Sequence, residues 1–227
     1  MPDSADHSDA EKSLQWPLPQ PDTAGAAPLR LAVMASGSGS TFESLAVACS
    51  AGRLHGRVVL LAVNRQDCGA RRRAERLAIP CELIDHRHQP SREALDQALI
   101  ALFRQHRIDL VVMAGWMRIV TRLLIEAFPE RLVNIHPSLL PSFRGADGVG
   151  QALAAGVTLA GCTAHLVTAE VDGGPILVQA AVPVLAGDDR DRLHARIQVQ
   201  ERRILPLAVQ LVAQRLSAAG PRSAAQG

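Results

Sequence analysis

Short, nearly continuous apolar runs alternate with stretches of helical periodicity along most of this chain, and that alternation restricts its fold more than any other feature. Leu29–Ala35 and Val58–Val63 are apolar at almost every position, the pattern of strands buried on both faces. Cys81–Ile84, Asp109–Ala114 and Leu132–Ile135 are shorter runs of the same kind. Between the first two, Phe42, Leu45, Ala46 and Cys49 recur at helical spacing. Residues 69–78 read as a helix that stops before Pro80, and another helix spans Arg122–Ala127. Ser91 caps a helix through about Gln105, with Ala94, Leu95, Ala98 and Leu102 on its apolar side. After Pro141 a glycine-rich connection (Gly145, Gly148, Gly150) leads to a short helix closed by Gly156. Thr158–Val167 and Ile176–Val184 are longer strands facing each other across a turn at Asp172, so they pair antiparallel. Asp188 or Asp189 then caps a final helix of roughly 25 residues. Its apolar stripe holds Leu193, Ile197, Ile204, Leu207, Ala208 and Leu211. This order implies an α/β chain: a Rossmann-like, mostly parallel sheet flanked by helices, with an antiparallel strand pair in the C-terminal half.

The ends differ from the middle. Residues 1–28 hold five of the 14 prolines and no periodic apolar pattern, so they read as a disordered N-terminal extension that can be deleted without loss. One domain is expected over residues 29–216, with a tail over 217–227. The extension also carries five acids and Lys12, the only lysine, which leaves 23 bases, all Arg, against 17 acids in the remainder. That modest excess, with four Phe, two Trp and no Tyr, does not suit a nucleic-acid groove. It suits small anionic substrates, which Arg grips in bidentate fashion. Arg71-Arg72-Arg73 reads as a solvated helix face. The four cysteines have no metal-ligand spacing, so they are expected to be reduced thiols of a cytoplasmic protein without a metal. Cys49 is expected in the core. No apolar run reaches the ~20 residues that span a bilayer, so no membrane association is expected.

Three polar residues end apolar runs where Pro or Gly stops the strand: Asn134 and His136 in Leu132–Pro141, and Asp172 in Val171-Asp172-Gly173-Gly174-Pro175. Singly, His136 and Asp172 read as turn residues. Together, an amide, an imidazole and a carboxylate can polarise a carbonyl, stabilise an oxyanion and move a proton. A second feature is Ser36-Gly37-Ser38-Gly39-Ser40-Thr41, between the first strand and the first helix. Its N–H groups form an anion site. A dinucleotide is disfavoured, because Phe42 occupies the third glycine position and Asn64-Arg65 replaces the ribose-binding acid. The loop also lacks a triphosphate-binding lysine, which leaves a single phosphate. Finally, Gln200 and Glu201 fall within the last helix's apolar stripe. A buried carboxylate there needs an Arg partner or a substrate group.

These motifs resemble the folate-dependent formyltransferases, in particular the phosphoribosylglycinamide formyltransferase family, over about residues 29–213. The resemblance rests on the Ser-Gly-x-Gly-Ser loop, Ala114–Ile119, Asn134–Pro141, Gly161–His165, Val171–Gly174 and Gln198–Glu201. It implies transfer of a formyl group from 10-formyltetrahydrofolate, the co-substrate, to the amine of 5′-phosphoribosylglycinamide in purine synthesis. It further implies that Asn134, His136 and Asp172 are catalytic. Gly39, Ser40 and Thr41 would bind the substrate phosphate, and Gln198 and Glu201 the rest of that substrate. Arg92, Met117, Arg118, Ile119, Val120, Ala169, Glu170 and Val171 would line the folate site. The partners expected are small molecules only, with the chain a monomer or homodimer. The sequence departs from the family pattern at Thr41, where Asn is common, at Ala164 and Ala169, and in Ala146–Val149, which lacks the family's histidines. Other acceptors compete: Ser138–Ala146 also resembles methionyl-tRNA formyltransferase, and an amino sugar or water (a hydrolase) could accept the group. The tRNA enzyme carries a further C-terminal domain and the hydrolase an N-terminal one, neither of which is expected here. A non-catalytic anion-binding module would need the loop but not the Asn134–His136–Asp172 set.

Overall fold

A computed structural model describes residues 15–17 and 27–218. The strands are β1 (Gln15–Trp16), β2 (Leu29–Ala35), β3 (Gly56–Val63), β4 (Cys81–Leu83), β5 (Leu110–Met113), β6 (Leu132–His136), β7 (Leu159–Leu166) and β8 (Ile176–Pro183). The helices are α1 (Ser40–Ser50), α2 (Gly69–Arg76), α3 (Arg92–Gln105), α4 (Arg122–Ala127), α5 (Gly148–Ala154) and α6 (Arg190–Ala218). The strands form one sheet in the order β1-β8-β7-β6-β5-β2-β3-β4. Pairing is parallel from β6 through β4 and antiparallel for β6-β7, β7-β8 and β1-β8.

The strand period of two distributes β2 between two cores. Leu31, Val33 and Ala35 pack on one face with side chains of α1, α2, α5 and α6. Ala32 and Met34 pack on the other with side chains of α3 and α4. This double coverage explains why β2 reads as an unbroken apolar run. It also explains α3, whose buried side is Leu95, Leu99 and Phe103. Ala94, Ala98 and Leu102 are only partly buried, so the buried stripe is rotated by one position from the expected one. Cys49 is likewise half-buried against the core rather than within it.

Capping sets several boundaries. The Ser91 hydroxyl accepts the N–H of Ala94 at 3.1 Å, and the Asp189 carboxylate accepts that of Arg192 at 2.8 Å. Asp189 is therefore the cap of α6, while Asp188 accepts the Leu185 N–H and pairs with Arg196. Gly148 and Gly150 fall inside α5 instead of the connection before it. Helix α6 runs 29 residues through Pro206. Proline has no N–H for the carbonyl four residues earlier; that carbonyl, on Arg202, accepts the Ser44 hydroxyl of α1 at 3.1 Å.

The extension is not wholly apart from the fold. Gln15 and Trp16 pair with Ala180 and Gln179 on the outer edge of β8; residues 1–14 and 18–26, and the tail from 219, lie outside the described residues. Deleting residues 1–28 removes this pairing. Two residue pairs contribute on the order of 1 kcal/mol, so the melting temperature should fall by no more than about 4 °C and activity should be unchanged. Thermal unfolding and rate measurements on the truncated chain test this, and a large fall in rate would place the extension in the working site.

Candidate active site

The sheet order places β2 and β5 side by side, with the chain leaving them towards opposite edges. The C-terminal ends of two such strands frame the crevice where open α/β sheets bind ligands. Here the segments after them are tied together: the Ser36 N–H donates to the Gly115 carbonyl at 3.0 Å, and the Met117 N–H to the Ser36 hydroxyl at 3.0 Å. A cavity of about 590 Å³ opens over this point, within the range of small-molecule sites. Its wall includes Gly39, Ser40, Thr41, Met117, Arg118, Ile119, Val120, Asn134, His136, Ala169, Glu170, Val171, Asp172, Gln198 and Glu201. Of the site residues implied by the resemblance, only Arg92 stands outside it, exposed at the start of α3; Gln200, beside Glu201 in sequence, does not line it either.

The floor is built from β6, β7 and the turn before β8. Asn134 and His136, two apart on β6, share one face of the sheet, and Asn134 pairs in register with His165 on β7. A β-bulge falls between Ala164 and His165. Asp172 sits at φ +50°, a left-handed conformation unusual for a residue with a side chain. Gly174 allows the turn, since a Cβ there would lie 1.8 Å from the Leu166 carbonyl oxygen.

Four groups converge on the Asp172 carboxylate. Oδ2 lies 3.3 Å from His136 Nδ1 and accepts the Gly145 N–H at 2.8 Å. Oδ1 lies 3.5 Å from His165 Nε2 and 3.4 Å from the Asn134 amide nitrogen. Burial alone would push the Asp172 carboxyl up, but the His165 contact, the Gly145 N–H and the two imidazoles outweigh it and hold it below its ordinary value. The other ring nitrogens face backbone carbonyls, His136 Nε2 at Phe143 O (2.9 Å) and His165 Nδ1 at Leu166 O (2.9 Å). A carbonyl only accepts, so each of those nitrogens carries a proton. With both rings neutral, the His165 Nε2 lone pair accepts the Asn134 amide N–H at 3.2 Å, and the His136 Nδ1 lone pair faces the carboxylate at 3.3 Å. A proton placed on His136 Nδ1 would make that contact a charge-assisted hydrogen bond.

On the opposite wall, α6 presents His194, Gln198 and Glu201, whose spacing puts them on one helical face. Glu201 is 7% exposed. Burial pushes its carboxyl up to about 7, opposed by the charge of the neighbouring Arg202. No ion pair to Glu201 occurs among the described residues, so the Arg-bridge alternative for this side chain is not realised. Segment 146–149, without histidines, carries a charge tie instead. Asp147 caps α5 by accepting the Gly150 N–H and pairs with Arg190 at 2.7 Å.

His165, His194, Trp116, Asp147 and Arg190 also line the cavity; they were not among the site residues read from sequence. His165 carried a signal, as the one imidazole in a strand otherwise built of small and apolar residues with a single threonine. For the others the approach is purely tertiary.

The chain belongs to the formyl transferase family, whose model matches residues 29–209. Among its relatives, a phosphoribosylglycinamide formyltransferase of Mycobacterium tuberculosis (strain ATCC 25618 / H37Rv) is 46% identical over 200 residues, 88% of this chain and 91% of that protein. The protein of that name from Escherichia coli (strain K12) is 39% identical over 80% of this chain and 85% of its own length. The crystal structure of glycinamide ribonucleotide transformylase 1 from Symbiobacterium toebii superposes with a TM-score of 0.82 at 44% identity, covering 84% of this chain and 90% of that one.

Proposed function

We propose that this formyltransferase moves a formyl group from 10-formyltetrahydrofolate to the amine of 5′-phosphoribosylglycinamide, with Asn134, His136 and Asp172 as its catalytic groups. The observation that carries the reading is the Asp172 carboxylate facing two imidazoles and an amide at the floor of one cavity. Gly39, Ser40 and Thr41 take the substrate phosphate, and Gln198 and Glu201 the polar groups nearer the amine.

The opposite end fits a folate. Met117 is 73% exposed, Ile119 56% and Val171 42%, a cluster of apolar side chains around a cavity mouth that marks a binding surface. With Arg118, Val120, Ala169 and Glu170 they take the flat ring system, and Arg92, outside the wall, is assigned to the acidic tail. When bound, 10-formyltetrahydrofolate supplies the formyl carbon. The Asn134 amide nitrogen, shared between His165 Nε2 at 3.2 Å and Asp172 Oδ1 at 3.4 Å, turns one hydrogen to the formyl oxygen as charge grows there. His136 Nε2 adds a second donor once the Phe143 carbonyl gives way to that oxygen. Asp172 holds the protonated imidazole through Nδ1, accepts through one water the proton lost by the attacking amine, and returns it to the folate nitrogen as the bond from that nitrogen to the formyl carbon breaks and tetrahydrofolate leaves. The unpaired thiols suit a reducing compartment such as the cytoplasm.

The test is formyl transfer from 10-formyltetrahydrofolate to phosphoribosylglycinamide, with water and aminoacyl-tRNA offered as competing acceptors. Faster transfer to either competitor would overturn the acceptor assignment, and no transfer at all would leave only a binding module.

A further inference from the structure

The segment Arg71-Arg72-Arg73 is not uniformly solvated. Arg71 bonds Gln66, whereas Arg73 turns inward with 29% of its side chain exposed. Its Nε donates to the Ser38 carbonyl at 2.9 Å, and its terminal nitrogen bonds the Glu43 carboxylate, which Arg76 also holds. One residue upstream, the Gly37 carbonyl accepts the Ala70 N–H at 3.1 Å. Two successive carbonyls of the loop before α1 are thus pinned on the side facing α2. In a trans peptide the N–H points opposite to the C=O. The N–H groups of Ser38 and Gly39 are therefore turned away from α2, towards the cavity both residues line. No protein acceptor among the described residues takes the N–H of Ser38, Gly39, Ser40 or Thr41.

The packing leaves little room for another arrangement. A Cβ on Gly39 would lie 2.5 Å from the Ala70 Cα, and one on Gly69 2.9 Å from the Ser38 carbonyl oxygen. Glu43 adds an electrostatic reason. A carboxylate in the first turn of α1 stabilises the helix terminus but repels a phosphate bound there. Arg73 and Arg76 offset that charge, and the Glu43 carboxyl is held below its ordinary value chiefly by the Arg76 bond, against burial, with Arg73 adding to the effect.

We infer that Arg73, which does not line the cavity, is a positioning residue for the phosphate end of the substrate: it orients the loop's N–H groups and neutralises Glu43. The inference rests on the reading that this loop takes the substrate phosphate. Arg73→Ala should raise the KM for phosphoribosylglycinamide about tenfold, the upper end for one lost hydrogen bond, with kcat changed less than about twofold. The KM for the formyl folate should not change, nor the KM for the same acceptor without its phosphate. Arg73→Lys keeps the charge beside Glu43 but not the fork that serves two acceptors, so about a threefold rise is expected. If the native protein does not distinguish the two acceptors, the loop reading itself fails. If it does and Arg73→Ala keeps the full preference, Arg73 has no positioning role. Equal losses for both acceptors, or in kcat, would make the residue structural only. Should Arg73→Ala not fold, the same comparison with Arg73→Lys decides the matter.

Discussion

Replacing Asp172 with Asn should lower turnover by roughly 10²-fold or more, because positioned proton transfer is typically worth that much. The amide keeps the size of the carboxylate but cannot accept the amine proton or balance an imidazolium at His136 or His165. Binding of both substrates should change far less, since the lost interaction acts mainly in the transition state. The fold should persist, because Gly174, with no Cβ to strike Leu166, makes the turn possible. Stability should nonetheless change its pH dependence. A carboxyl whose folded value is depressed contributes stability above its unfolded pKa and loses it as pH falls through the lower folded value. Asp172→Asn should remove that part of the acid limb. Rates, both binding constants and urea unfolding across pH on this one variant test the claim. Near-normal turnover would reduce Asp172 to a turn residue.

Glu201→Gln should act in two opposite directions. The folded protein holds this carboxyl near 7, so folding takes up a proton between the ordinary carboxylate value and that one. Stability from this group therefore declines as pH rises through that window, and the cost is complete above it. Removing the charge should stabilise the substrate-free protein at pH 8 by on the order of 1–3 kcal/mol while changing little at pH 4. Affinity for phosphoribosylglycinamide should fall by about tenfold or more, because a buried charge with no ion-pair partner among the described residues is answered by the ligand. Folate affinity should hold. Denaturation at the two pH values and titration with each substrate give the outcome; a variant that loses stability at pH 8 with unchanged substrate affinity would mark Glu201 as a structural residue.

Much of the fold was legible because its strands are buried on both faces and its helices on one. Apolar runs such as Leu29–Ala35 and caps such as Ser91 are local signals, and they placed the elements to within a few residues. The α3 stripe was displaced because Leu95, Leu99 and Phe103 fit the same helical period as their neighbours, and only the facing sheet chooses between them. For the site, Asn134, His136 and Asp172 were legible as polar residues at strand ends next to Pro or Gly, and Glu201 as a carboxylate in an apolar stripe. By itself, then, the sequence determined the alternation of elements, the glycine-rich loop between β2 and α1 and the chemical types available at the candidate site, since each depends on residues close together along the chain. Tertiary structure alone decided which groups meet. His165 reaches Asn134 because β6 and β7 pair in one register, and Asp147 reaches Arg190 because α5 packs beside α6. Arg73 turns from solvent to the Ser38 carbonyl because two glycines let α2 approach the loop. Such contacts join residues far apart in the chain, and only the packed backbone sets the distances on which their electrostatics depend.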